Sequence, residues 1–104
     1  MSPRALAWLG ATPSRRCPVP EISRFFGIVI QMFWTDHAPP HFHALYGSHE
    51  ALIAIRTLTV IRGSLPPRVL GLTLEWAALH RLELMANWQR CEIRVPLVQI
   101  APLV

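Results

Sequence analysis

The chain has 104 residues, 52% of them hydrophobic, including four Trp and four Phe. That is enough for one small domain with a real core, and it excludes extensive disorder. The net charge of +4 comes entirely from arginine, but Arg4, Arg15 and Arg16 lie within the first 18 residues. Beyond them seven arginines face six acids, a balance of +1 that provides no electrostatic footprint for nucleic acid.

Residues 1–18 differ from everything that follows. An apolar run, Ala5–Ala11, has one arginine before it and two after it, and it lacks the charge order of a secretion signal. This stretch is expected to be a disordered N-terminal extension, with a single domain over residues 19–104. Cys17 and Cys91 are far apart and match no zinc or redox spacing, so thiols in a reducing cytoplasm are expected. No apolar run approaches the roughly 20 residues of a membrane span, and no membrane association is expected.

Ser23 to Trp34 reads as one strand, β-branched at Ile28-Val29-Ile30, flanked by aromatics and apolar on both faces, and so central in a sheet. A second strand runs from His41 to Tyr46 and separates Phe42/Ala44/Tyr46 from His41/His43/Leu45. Gly47-Ser48-His49 signals a turn. A third strand, Glu50–Arg56, places Ala51, Ile53 and Ile55 on one face. Thr57–Arg62 reads as a short fourth strand closed by Gly63.

At Ser64-Leu65-Pro66-Pro67 the period changes from two to about 3.6. Ser64 is a candidate helix cap, and prolines are tolerated in a first helical turn. Leu70, Leu74, Ala77, Leu84 and Trp88 recur at helical spacing, with a break available near Leu79-His80-Arg81. Gly71 inside this region suggests close packing on the sheet, since it otherwise costs about 1 kcal/mol relative to alanine. Pro96 ends the helical region. Leu97–Val104 is apolar and uncharged, so Leu97, Val98 and Ile100 are expected at a partner interface, or as a last short strand. The fold expected is α+β: a small antiparallel sheet of three to four strands followed by a C-terminal helical segment packed on it.

The chemistry concentrates in Asp36-His37-Ala38-Pro39-Pro40-His41-Phe42-His43, where three of the five histidines fall within seven positions. Pro39 and Pro40 form the turn: each fixes its own φ and biases the preceding residue toward an extended conformation. His41 and His43, two apart on a strand, leave on the same face. His37, His41 and His43, with Asp36, are therefore a candidate site for a divalent metal such as zinc. The competing reading is a structural turn in which Asp36 caps backbone N–H groups and the imidazoles bond carbonyls. As a nuclease-type toxin, the same histidines would act as general acid and base, with Arg24 or Arg56 holding a phosphate. Glu75, His80 and Glu83 read as a solvated helix face on which His80 and Glu83 are neighbours, and Trp76 and Trp88 read as core or interface.

Pro20-Glu21-Ile22-Ser23-Arg24-Phe25-Phe26-Gly27, the run Asp36–Ala44, Tyr46-Gly47, Leu74-Glu75-Trp76-Ala77 and Asn87-Trp88 together resemble a family of small bacterial proteins, the domain of unknown function 4160 family. Its HxPPHxH signature is carried here by His37, Pro39, Pro40, His41 and His43, and the resemblance runs from about Pro20 to the C-terminus. Members are uncharacterised, and some are labelled transcriptional regulators. Their genes often lie beside one for another small domain of unknown function, number 2442, an arrangement similar to toxin–antitoxin pairs. Members typically begin Met-Pro before the first strand, where Val19-Pro20 stands here, which marks residues 1–18 as a candidate gene-start artefact.

The resemblance implies a cytoplasmic protein-binding component of a toxin–antitoxin-like operon, its partner a small protein encoded by a neighbouring gene. A histidine-centred metal-binding hydrolase or ribonuclease-type toxin is one alternative. A DNA-binding transcriptional regulator is another, with no arginine-lined recognition helix to favour it.

Overall fold

The computed structural model describes residues 20–104; the extension expected over residues 1–18, with Cys17, lies outside them. In chain order come β1 (Glu21–Phe25), β2 (Ile28–Gln31), β3 (His41–Tyr46), β4 (His49–Ala54), β5 (Val60–Gly63), α1 (Pro67–Leu79) and α2 (Arg81–Glu92). The strands form a single antiparallel meander, β1-β2-β3-β4-β5. The class is therefore α+β as expected, but the sheet has five strands, not three or four.

The extra strand comes from the segment read as one strand over Ser23–Trp34. The chain reverses at Phe26-Gly27, both at positive φ (50° and 79°), the requirement of a two-residue hairpin turn whose twist matches its strands. β1 thus lies at the edge of the sheet, and of this pair only β2 is flanked on both sides. A bulky residue at positive φ is rare, which is why an unbroken apolar run concealed the turn. Further along, β4 stops at Ala54 and β5 starts at Val60, shorter than the strands expected there, with Leu58 at φ 55° in the intervening turn.

Alternation then decides the layers. Ile28, Ile30, Phe42, Ala44, Ala51, Ile53 and Ile55 are buried on one face and meet Val69, Trp76, Ala77, Leu84 and Trp88 of the helices in a single core. Trp76 is fully buried, its ring centroid 5.3 Å from Phe25 and 6.0 Å from Phe42. Truncating a residue of this kind typically costs about 3–5 kcal/mol. Gly63 closes β5 at φ 79°, where an added Cβ would lie 2.1 Å from the Glu50 carbonyl oxygen, so only glycine fits.

The helix boundary falls at His80, as the pattern allowed, and no helix among the described residues is long and apolar enough to cross a membrane. Three details differ from expectation. Pro66, not Ser64, occupies the cap position of α1; Ser64 instead donates its backbone N–H to the Glu50 carbonyl at 3.1 Å. The buried face of α1 is Val69/Thr73/Trp76/Ala77, leaving Leu70 and Leu74 only partly covered. Gly71 is exposed, and a Cβ added there would meet nothing within 4 Å, so it marks no close approach.

The C-terminal segment forms no strand; it lies against its own domain. Asn87, fully buried on α2, donates Nδ2–H to the Val98 carbonyl (2.8 Å) and accepts from the Val98 N–H through Oδ1 (2.9 Å). Ile100 donates its N–H to the Ile22 carbonyl on the β1 edge (2.8 Å), and Trp76 Nε1–H reaches the Ala101 carbonyl (2.8 Å). Ile100 is buried and Leu97 packs on the core, which withdraws both from the partner surface expected of them, while Val98 stays half exposed.

Candidate metal centre

Three of the four expected ligands converge. One ligand atom each from Asp36, His41 and His43 lies within 4.8 Å of the other two. The fourth, His37, is exposed and stands on the wall of the same pocket, outside that close group. Of the two prolines expected to form the turn, Pro39 lies in a bend behind a cis Ala38–Pro39 peptide bond and Pro40 leads directly into β3. Period-two alternation then brings the His41 and His43 rings to 5.3 Å between centroids.

Asp36 is fixed from behind. Its Oδ2 accepts the Phe33 N–H at 3.1 Å, while its own N–H donates to the Phe33 carbonyl at 3.1 Å. This reciprocal turn contains the backbone capping expected of a structural role, yet it aims the carboxylate at the histidines. Asp36 Oδ2 lies 3.2 Å from His43 Nε2 and 3.7 Å from His41 Nε2.

Each imidazole is oriented through its other nitrogen. His41 Nδ1 is 2.9 Å from the Pro39 carbonyl, which can only accept, so Nδ1 carries the proton and Nε2 faces the cluster. The buried His41 ring rests against Trp88, centroids 5.4 Å apart. His43 Nδ1 donates to Glu50 Oε2 at 3.0 Å across the β3–β4 pair, and Phe33 meets the ring edge-on at 4.9 Å. Glu50 thus acts on the site through His43, a role invisible in the sequence because the β3–β4 register sets it.

Burial opposes a charged His43, but hydrogen bonds to Asp36 and Glu50 and their negative charge outweigh it and hold the ring above the usual histidine range. For Asp36 burial pushes upward, and the His43 bond, the Phe33 N–H and the two nearby rings hold the carboxyl below its usual range. Without metal, the pair therefore favours an imidazolium bridging two carboxylates. A divalent ion would replace the proton on Nε2 and leave the Nδ1–H bond to Glu50 intact, the carboxylate–histidine arrangement common behind metal ligands.

The cluster opens into a pocket of about 410 Å³ whose wall includes Thr35, His37, Leu52, Ile61 and Arg62. No pattern in the sequence marks Arg62; register places it there, since His43 pairs with Leu52 and Leu52 with Arg62. The arginines expected to hold a phosphate are elsewhere. Arg24, the exposed residue of β1, pairs with Glu21 at 2.7 Å, and Arg56 follows β4 outside the pocket wall. Trp76 and Trp88 are core residues, and His80 bonds Glu83 at the helix junction, with Glu75 not joining them.

A family model described as Domain of unknown function (DUF4160) matches residues 27–89, and the chain belongs to that family. The match spans β2 through most of α2 and includes Asp36, His41, His43 and Arg62. No curated protein and no solved structure matches the chain.

Proposed function

We propose that the chain binds a divalent metal ion through His41 Nε2, His43 Nε2 and the Asp36 carboxylate, and works as a histidine-centred metal-dependent hydrolase. The observation that carries this reading is the orientation of the two rings. Both Nδ1 atoms donate to acceptors outside the cluster, Pro39 O and Glu50 Oε2, so both Nε2 atoms turn toward one carboxylate. Two imidazoles and one carboxylate suit zinc or a similar first-row ion and leave coordination positions for water or substrate. Such an ion would supply Lewis acidity and a water of lowered pKa. The residues do the rest: Asp36 offsets the charge, Glu50 fixes the tautomer of His43, and Trp88 and Phe33 hold the two rings.

The test is zinc titration at pH 7.5, followed by calorimetry. One equivalent should bind to the wild type, and His41→Ala should lose it while retaining the native circular dichroism spectrum. No stoichiometric zinc in a folded wild type would reduce the cluster to a hydrogen-bonded turn.

A second reading, protein binding within a toxin–antitoxin-like operon, is supported by β5. All four of its residues are exposed, Val60 and Ile61 among them, on a sheet edge that no other strand among the described residues pairs with. Co-expression with the neighbouring gene product should then give one complex in gel filtration, and a charged Ile61→Lys edge should dissolve it.

A further inference from the structure

The pocket that holds the ligand cluster also carries a cation on its wall. Arg62 is exposed, lines the pocket together with Asp36, His41 and His43, and forms no ion pair among the described residues. Glu50 is occupied by His43, and Asp36 by both histidines. Strand register fixes the placement: His43, Leu52 and Arg62 form one row over three adjacent strands. At roughly 4.8 Å per strand, the backbones of His43 and Arg62 stand about 10 Å apart, with the short apolar Leu52 as the floor between them.

We infer that this pocket binds a small-molecule phosphate monoester, its phosphoryl group held between the metal ion and the Arg62 guanidinium. The inference rests on the metal-binding reading above and adds the ligand class. The guanidinium fork matches two oxygens of an oxyanion. A carboxylate held by the fork through both oxygens directs its carbon substituent away from the guanidinium, toward the side on which the ion would stand. A phosphoryl group has a third oxygen for the ion. A volume of about 410 Å³ falls in the range of small-ligand sites. The +1 balance beyond residue 18 gives a polyanion no wider surface to follow.

The probe is phenyl phosphate, titrated by calorimetry into the full chain carrying one equivalent of zinc, with zinc stoichiometry measured separately. The wild type should bind the probe, and Arg62→Gln should bind at least tenfold more weakly with unchanged zinc stoichiometry. Arg62→Lys, which keeps the charge but not the fork, should fall between them. Zinc bound at one equivalent with no binding of phenyl phosphate overturns the inference and spares the metal reading. Equal binding by Arg62→Gln, equal affinity for benzoate, or tighter binding of an oligoribonucleotide lacking a terminal phosphate overturns it as well. Failure of the wild type to hold zinc overturns both.

Discussion

Asn87 is one of several points that attach the C-terminal segment to the domain, beside the Ile100–Ile22 and Trp76–Ala101 bonds, and replacing it with alanine tests its share. Its side chain, fully buried, makes two short bonds to the Val98 backbone and accepts a third, at 3.0 Å, from Arg90 Nη1. At a net ~1 kcal/mol per bond, the two contacts to Val98 contribute about 2 kcal/mol, and the space left by the amide adds to the loss. The Arg90 contact, to a partly exposed side chain, adds little. Asn87→Ala should thus lower stability by about 2–3 kcal/mol in urea unfolding, a large share of a domain of this size. It should also make the C-terminal segment more open to carboxypeptidase digestion, because both bonds that hold the Val98 backbone are lost. A loss under about 1 kcal/mol, with digestion unchanged, would show that the Ile100 and Trp76 contacts hold the segment without Asn87.

The titrating pair gives a pH prediction with a definite sign. His43 is raised in the folded chain, so its contribution is complete below the unfolded value of about 6.5 and disappears as pH rises through the folded one; Asp36 is lowered, so its contribution is complete above about 3.9 and is lost on acidification. Metal-free wild type should therefore exceed His43→Gln in stability more at pH 5.5 than at pH 9 in urea unfolding with EDTA, and an equal gap at both would contradict the pairing. Gly71→Ala, on an exposed helical position with open space around it, should stabilise by about 0.5–1 kcal/mol and raise Tm by several degrees; a lower Tm would reveal a constraint on that backbone.

Much of the site could be read in the sequence because its geometry is local. His41 and His43 share a face through the two-residue period of a strand, and the Pro-Pro turn returns Asp36 to them within seven positions. His37 does not follow, because the bonds to Phe33 fix its neighbour Asp36 toward the histidines and leave His37 exposed on the pocket wall. Glu50 and Arg62 reach the site only through the β3–β4–β5 register, which is set by the Gly47-Ser48 turn and by an irregularity between Leu52 and Ile53. No spacing in the chain encodes that offset. The strand count failed at one residue: an Asn-Gly or Asp-Gly pair would have signalled the first hairpin, and Phe26-Gly27 places an aromatic where the backbone needs positive φ. The apolar content of the C-terminal segment suggests a partner surface, whereas its fastening comes from long-range bonds to the Asn87 amide, the Trp76 indole and the β1 edge that no local pattern encodes.

The central claim is that Nε2 of both His41 and His43 faces a metal while both Nδ1 atoms keep their protons. Long-range proton–nitrogen NMR of the imidazoles, recorded before and after one equivalent of zinc, reads these atoms individually. Zinc should shift the Nε2 resonances of His41 and His43, leave their Nδ1–H bonds to Pro39 and Glu50 in place, and leave His37, His49 and His80 unmoved. Zinc-induced shifts centred on His37 or His49, or none at His41 and His43, would contradict the assignment.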